Sequence, residues 1–498
     1  MREESASNTY FESLQSIFGG ASVYVFGQLF VKLTGFVINA LLVRGLGPEL
    51  YGVYAYAKSF IDLSNTVSTL GSDIAVLRFL PAYESDKAQQ NQILGVASAA
   101  SFVGSILIAT VLFALAPLIN QFTLDQAVFT DVLRVFALAL PFDTLAKIIS
   151  GTFRGLELPK YQVFVTKILR PLLRLTAIAV ALFIGLSILG TIGVLVIASV
   201  GVFILGGIVL IYRTTLRPTA PRSVAEAYDF FEYSVPLMLS QAGTVLYNRI
   251  DVFMVGFFLS SEAVGFYNIG FLVSSIVTLP LTGFSQIFTP IASRLFDADE
   301  HDELEALYAT VTRWSLTISL LAALIAIIYA HEILMLFGPS VVRGAPVLQL
   351  FALGQLLNAA VGPANYLLMM TDHERLSFLN HWVFGVANVA LNYVFLVEFG
   401  FIGAAFATAS VLGFLNVVRW VELRQLEGLS PYSSRYYKPL LAGLVTAVIL
   451  LAVEQAVASI TLLILGSSLG SLTFVSALYA LGFEQNDMDF FAQLLNRI

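Results

Sequence analysis

The stretch Val132–Leu138, VLRVFAL, returns 215 residues later as VLQLFAL, Val347–Leu353. The echo extends around it. Gly52-Val53-Tyr54, with Glu49 just before, returns as Gly265-Phe266-Tyr267 with Glu262, and Gly190-x-x-Gly193 returns as Gly400-x-x-Gly403. Three matches in the same order, at offsets of 213, 215 and 210, indicate a duplicated unit of about 210 residues. Both copies consist of long hydrophobic segments, so the sequence describes a two-lobed membrane protein.

Composition points the same way. The chain is 58% hydrophobic and only 12% charged, whereas a soluble domain carries about 25% charged residues. Its apolar runs suit transmembrane helices of about 20 residues, and the alternating ten-residue pattern of an outer-membrane barrel is absent. The expected fold is therefore all-α and polytopic. Without cysteine there are no disulfides or thiolate metal sites, and four histidines leave little room for a histidine-rich centre. No Walker motif, nucleophile elbow or HExxH occurs, so no catalytic residue, metal or cofactor is expected, nor is a nucleic-acid partner. The polar, acidic start MREESASNTYFESLQSIFGG is unlike a cleavable signal peptide. The net charge of -7, the excess of arginine over lysine and the acidic run Asp297–Leu307 are what a salt-adapted host would produce.

We count about fourteen membrane segments, from 21–43 to 461–482. Six lie in a first lobe, 1–212. A linker rich in arginine and proline, 213–228, leads to a second six-helix lobe, 229–424, and 425–498 adds two helices and a polar tail. An even number of helices per copy gives both copies one orientation, related by an axis along the membrane normal. With the N-terminus inside, cytosolic ends collect fifteen basic residues, among them Arg78, Arg154, Arg213, Arg222, Arg419 and Arg497, whereas outer ends receive Arg44, Arg134 and Arg343. That asymmetry puts both termini in the cytosol. Pro48, Pro141, Pro171, Pro236, Pro280, Pro290 and Pro363 fall within or at the ends of segments, where they kink helices or simply reflect the commonness of proline in membrane spans.

Eight basic residues lie well inside segments: Lys32, Lys58, Lys147, Lys167, Arg170, Arg174, Arg249 and Arg313. Each costs roughly 2.5 to 3.5 kcal/mol at the bilayer centre on insertion scales, so each should face protein or water. Lys58 with Asp62 and Asp143 with Lys147 are spaced i,i+4 and fit internal salt bridges that make insertion bearable; Arg249 and Asp251, at i,i+2, diverge. Arg170 and Arg174 differ, because like charges at i,i+4 repel. Counted from Tyr161, Arg174 lies about 20 Å up its helix, too deep to snorkel easily. Something anionic should meet the pair: Asp62, Asp73 or Asp143 from another helix, or a substrate phosphate, for which a guanidinium fork is well shaped. Lys32 adds a third positive charge to the first lobe.

The second copy replaces Arg134 by Gln349 and carries Asn358, Asn365, Asn388 and Asn392 in place of charge. These asparagines read as interhelical glue or as partners for sugar hydroxyls. Tyr24, Tyr51, Tyr54, Tyr56, Tyr247, Tyr267 and Tyr366 read chiefly as interfacial anchors, with carbohydrate stacking as the alternative.

Four stretches carry a family resemblance: LLVRGLGPELYGVYAYAKSF at Leu41–Phe60, LYNRIDVFMVGFFL at Leu246–Leu259, SSEAVGFYNIGFLV at Ser260–Val273 and NYVFLVEFGFIGAAFAT at Asn392–Thr408. With the six-plus-six arrangement and two added helices, the whole chain resembles the polysaccharide transporter, or oligosaccharide-lipid flippase, branch of the multidrug/oligosaccharidyl-lipid/polysaccharide exporter superfamily. The resemblance implies a V-shaped pair of lobes around a cavity that opens alternately to either side. It also implies a polyprenyl (pyro)phosphate-linked oligosaccharide as cargo, flipped across the cytoplasmic membrane for polysaccharide or glycoprotein glycan assembly. Lys32, Arg170, Arg174 and Arg249 are the positions whose depth fits head-group binding. Lys58, Asp62, Asp73, Asp143, Lys147 and Asp251 are the candidates for coupling or charge pairing. Implied partners are the lipid-linked glycan, membrane lipids, and glycosyltransferases or an oligosaccharyltransferase of the same pathway, around a monomeric transport unit. Acidity and family together point to an archaeal halophile. The competing readings are a cation-coupled drug antiporter, which depends on a buried aspartate, and a scramblase or scaffold, which needs no cavity charge.

Overall fold

The computed structural model describes residues 2–220, 224–456 and 460–482, with side chains over 27–220, 228–455 and 461–482. Arg222, Arg497, the Tyr24 side chain and the tail from Glu484 lie outside the described residues. Among those described, the fold is all-α, with no strand. The first eleven helices are α1 (Arg2–Ser68), α2 (Ser72–Ala82), α3 (Lys87–Phe122), α4 (Ala127–Ala137), α5 (Leu140–Gly155), α6 (Pro159–Val163), α7 (Arg170–Phe183), α8 (Ile188–Arg213), α9 (Val224–Tyr247), α10 (Ile250–Phe258) and α11 (Ser261–Ser274). Then come α12 (Leu279–Asp297), α13 (His301–Ile328), α14 (Ala330–Met335), α15 (Ala345–Val361), α16 (Ala364–Met370), α17 (Glu374–Leu426), α18 (Tyr437–Ala456) and α19 (Ile460–Ala480).

Each expected segment falls on helix. α1 and α17, 67 and 53 residues long, are each two helices joined at one glycine: Gly47 at φ 82 and Gly400 at φ 62. Only a residue without a Cβ adopts such angles freely, so these glycines separate adjoining segments where the sequence shows a nearly continuous apolar run. By length and apolarity eight described helices qualify to cross a membrane, or nine if bent α11 and α12 form one span. The expected count of fourteen is not reached by this measure. Several segments are divided into pieces too short to qualify alone, such as α4 with α5 and α6 with α7. Prolines explain some of the division: Pro141 and Pro280 occupy the first turns of α5 and α12, where a missing N–H costs little, and Pro171 directly follows a turn of wider winding.

Packing divides the chain into two compact units. One holds Gly19–Asn268 and Leu396–Ala404; the other holds chiefly Ile269–Phe395 and the described residues from Ala405 onward. In the first unit α5 packs on α2, α3 and α8, and α7 packs on α8. Leu80, Leu94, Ile148, Phe153, Val165 and Val202 form its apolar core. In the second unit α13 lies against α12, α15 and α18, and α19 pairs with α18. Side chains such as Leu107, Phe183, Trp382 and Leu444 turn outward with 60 to 91% of their surface exposed, as lipid-facing residues must. The chain is a multi-span membrane protein.

Candidate functional site

The first unit gathers the charges. α7 is entered through a π-helical turn, Phe164–Leu169, closed by a hydrogen bond from the Arg170 N–H to the Val165 carbonyl. Pro171 accounts for that turn: in an α-helix its ring would collide with the carbonyl of Lys167, four residues back, and the wider turn relieves the collision. Arg170 and Arg174 follow at once on α7. Asp143 stands in the first turn of α5 and is almost fully buried. Arg170 Nη2 donates to Asp143 Oδ1 at 2.7 Å and Arg174 Nη2 to Oδ2 at 3.4 Å. One carboxylate therefore bridges both guanidiniums and relieves the repulsion that their spacing creates. Of the three acids left open by the sequence, Asp143 is the partner.

This corrects the pairing expected for Asp143. It forms its ion pairs with Arg170 and Arg174 rather than with Lys147, because two guanidiniums outcompete one ammonium for a carboxylate enclosed by protein. The Lys147 ammonium lies 3.5 Å from Thr66 Oγ1. The other expected pair forms: Lys58 Nζ reaches Asp62 Oδ2 at 2.5 Å within one face of α1. Asp62 also lies within electrostatic reach of Arg170, Arg174 and Arg249.

Beside the arginines is a cavity of about 170 Å³ lined by Asp73, Lys147, Ser150, Arg154, Arg170 and Gln241, among others. Arg170 thus belongs to both the bridged pair and the cavity wall. Asp73 Oδ1 and Gln241 Nε2 are buried without a hydrogen-bond partner among the described residues, so the cavity keeps unspent polar capacity. Around cavity and bridge together, five cations (Lys58, Lys147, Arg154, Arg170, Arg174) face three acids (Asp62, Asp73, Asp143).

Arg249 caps α10 at the break after α9, and its Nη1 donates to Asn268 Oδ1 at 3.4 Å. Asn268 Nδ2 donates to the Tyr51 hydroxyl at 2.6 Å, and Tyr51 donates to Asn39 Oδ1 at 2.7 Å. As the i,i+2 spacing requires, Asp251 is served elsewhere, by the Tyr267 hydroxyl at 2.6 Å and the Val252 N–H at 2.8 Å. Lys32 is half-buried on α1, one turn beyond Gln28, whose Oε1 accepts from Lys167 Nζ at 3.2 Å.

Four of the seven tyrosines are not interfacial anchors. Tyr51, Tyr54, Tyr56 and Tyr267 are buried, at 0, 6, 1 and 0% exposure, and three of them place their hydroxyls on Asn39, the Phe253 carbonyl and Asp251. Sequence reasoning also missed Asn268, although it breaks the repeat: Gly52-Val53-Tyr54 is followed by Ala55, but Gly265-Phe266-Tyr267 is followed by Asn268. In the second unit Asn392 donates to Asn388 within its own helix and to Thr408 across the break at Gly400, and the second bond is of the interhelical kind. Arg419, counted in the sequence among the cytosolic ends, is only 7% exposed and meets Asn416 and His381.

The family model described as Polysaccharide biosynthesis protein matches residues 17–296, more than half of the chain. The chain belongs to that family. A second model, MatE, matches 236–394. Among relatives, the protein named probable flippase AglR from Haloferax volcanii is 25% identical over 415 residues, which span 80% of this chain and 82% of that protein. Among solved structures, lipid II flippase MurJ in an inward closed conformation aligns with a TM-score of 0.73 at 13% identity, covering 94% of this chain and 99% of that one. An inward-facing multidrug resistance MATE transporter of the MOP superfamily aligns at 0.63 and 15%, covering 81% and 98%. This member of the polysaccharide biosynthesis family therefore has the MOP-type fold that those transporters share.

Proposed function

We propose that this chain is a flippase that carries a polyprenyl (pyro)phosphate-linked oligosaccharide across the cytoplasmic membrane by alternating access. The observation that carries the reading is the pair Arg170 and Arg174, sharing one buried carboxylate beside a cavity that Lys147 and Arg154 also line. Two guanidiniums offer ten N–H donors and one carboxylate accepts few of them, so phosphate oxygens find donors already oriented. Arg249 and Lys32 supply further positive charge for the head group, while the isoprenoid tail stays in lipid. The name of the Haloferax volcanii relative supports the reading. The glycan serves polysaccharide or surface-glycoprotein assembly, delivered by glycosyltransferases and received by an oligosaccharyltransferase or polymerising enzyme, and both termini are cytosolic.

The test is leaflet-resolved translocation of native lipid-linked glycans in proteoliposomes, comparing wild type with Arg170→Ala/Arg174→Ala at equal density of folded protein. Transfer by wild type that the double variant loses is the expected result. The MatE match favours one second reading, a cation-coupled antiporter using Asp62, Asp73 or Asp143. Folded wild type that moves an unanchored cation but no glycan lipid would establish it instead.

A further inference from the structure

Asp143 has two cationic homes within reach. It now bridges Arg170 and Arg174 on α7, at 2.7 and 3.4 Å. One turn further along its own helix stands Lys147, at the i,i+4 spacing that brings opposite charges together on a helix face. The Lys147 ammonium donates to Thr66 Oγ1 at 3.5 Å, has Asp73 as its foremost counter-charge, and lines the same cavity as Asp73 and Arg170. The arginine side chains retain 25 and 32% exposure and Arg170 lines the cavity, so an anion entering there can approach the bridged pair through Arg170, whereas the carboxylate is 5% exposed and cannot leave for water. An anion that takes the guanidiniums must therefore displace Asp143 to another cation, or share the arginines with it at the cost of repulsion at short range.

We infer that Asp143 is an exchangeable counter-ion: it occupies Arg170 and Arg174 while the site is empty and transfers to Lys147 when a phosphate or pyrophosphate group takes the arginines. This rests on the head-group reading above and assigns Asp143 and Lys147 as positioning residues. The exchange lets the site bind its anion without holding it irreversibly. Head-group binding always competes with a carboxylate already in place, and on release Asp143 returns, so the arginines are never left uncompensated inside the membrane. Of the cations nearby, Lys58 is already engaged by Asp62 at 2.5 Å and Arg154 lies about three turns along α5 from Asp143, whereas Lys147, with Asp73 facing it, is one turn away and able to receive the displaced carboxylate.

The test is binding of farnesyl pyrophosphate, a short polyprenyl pyrophosphate, to the purified full chain in nanodiscs, with inorganic pyrophosphate alongside. Asp143→Asn removes the competitor and is expected to tighten binding about tenfold or more; Lys147→Met removes the second home and is expected to weaken it several-fold. Asp143→Asn/Lys147→Met, which preserves net charge and so protects the fold where Asp143→Asn alone does not, is expected to bind at least as tightly as wild type. Unchanged or weaker binding by folded Asp143→Asn overturns the proposal. So does a double variant as weak as Lys147→Met, since Lys147 would then touch the ligand directly. If wild type binds neither probe in a manner that Arg170→Ala/Arg174→Ala abolishes, the head-group reading itself fails. Equal affinity for the two probes would assign the site to a free anion, and tighter binding of the farnesyl compound to a lipid head group.

Discussion

Gly52 and Gly265, which the internal repeat makes equivalent, pack against each other. A Cβ on Gly52 would lie 1.6 Å from the Ser261 carbonyl oxygen and 3.1 Å from the Gly265 nitrogen, and one on Gly265 would lie 2.6 Å from the Pro48 carbonyl oxygen. Each copy of the G-x-Y triplet thus presses its glycine onto the backbone just preceding the other copy's triplet. The duplication is visible as a reciprocal contact between α1 and α11, within one compact unit.

Gly52→Ala should therefore be severe. Backbone cannot yield as a side-chain tip does, and overpacking of this kind costs about 1 to 3 kcal/mol or more. Gly35, with nothing within 4 Å of its added Cβ, is the control: alanine there should be neutral or slightly stabilising, since glycine is a poor helix former. Thermal unfolding in detergent decides it, and equal midpoints for the two variants would refute the close contact.

Tyr267→Phe should destabilise although it removes only one oxygen. Asp251 is buried at 5% exposure and would lose the 2.6 Å hydrogen bond to its Oδ2. An unsatisfied buried acceptor of this kind costs about 1 to 3 kcal/mol. Tyr366→Phe, at a residue 39% exposed, should leave the midpoint unchanged. A Tyr267→Phe protein as stable as wild type would show that Asp251 is served by other donors.

Lys58 and Asp62 should behave as a unit. Removing Lys58 alone leaves Asp62 within a membrane helix without its 2.5 Å partner, so Lys58→Met should lower stability, and Lys58→Met/Asp62→Leu should recover most of the loss. The double variant should also keep glycan-lipid translocation. A double variant that is stable but inactive would place ion coupling at this pair.

The relay from Asn39 through Tyr51 and Asn268 should govern how firmly Arg249 is held. Asn268→Leu breaks it at the residue touching both Tyr51 and Arg249. We expect weaker binding of a polyprenyl pyrophosphate, by several-fold, with little change in the unfolding midpoint. Affinity equal to wild type would show that the relay does not set the contribution of Arg249 to head-group binding.

Much of this was readable in the chain because the physics was local. An i,i+4 pair such as Lys58 and Asp62 needs only a helix, and the deep arginines announced an anion by their mutual repulsion. Which acid would answer them was open among Asp62, Asp73 and Asp143, since that choice depends on which helices become neighbours. The tyrosines misled for a related reason. Near the ends of apolar runs they resemble interfacial anchors, but Gly47 breaks α1 so that Tyr51, Tyr54 and Tyr56 begin its second helix inside protein. Arg419 looked like one more inward-side charge, because helix ends and solvent are easily equated when no neighbours are visible. Asn268 left a legible trace as a departure from the repeat, a signal that appears only once the copies are aligned.

The π-helical turn before Arg170 ties the length of this stretch to Pro171. The wide turn absorbs one residue more than an α-helix uses for the same rotation, so deleting one residue between Phe164 and Leu169 would restore ordinary winding and leave the face of α7 where it is. What it would bring back is the collision between the Pro171 ring and the carbonyl four residues before it. The extra residue and the proline therefore belong together, and a homologue without that residue is expected to lack this proline while both arginines keep their carboxylate.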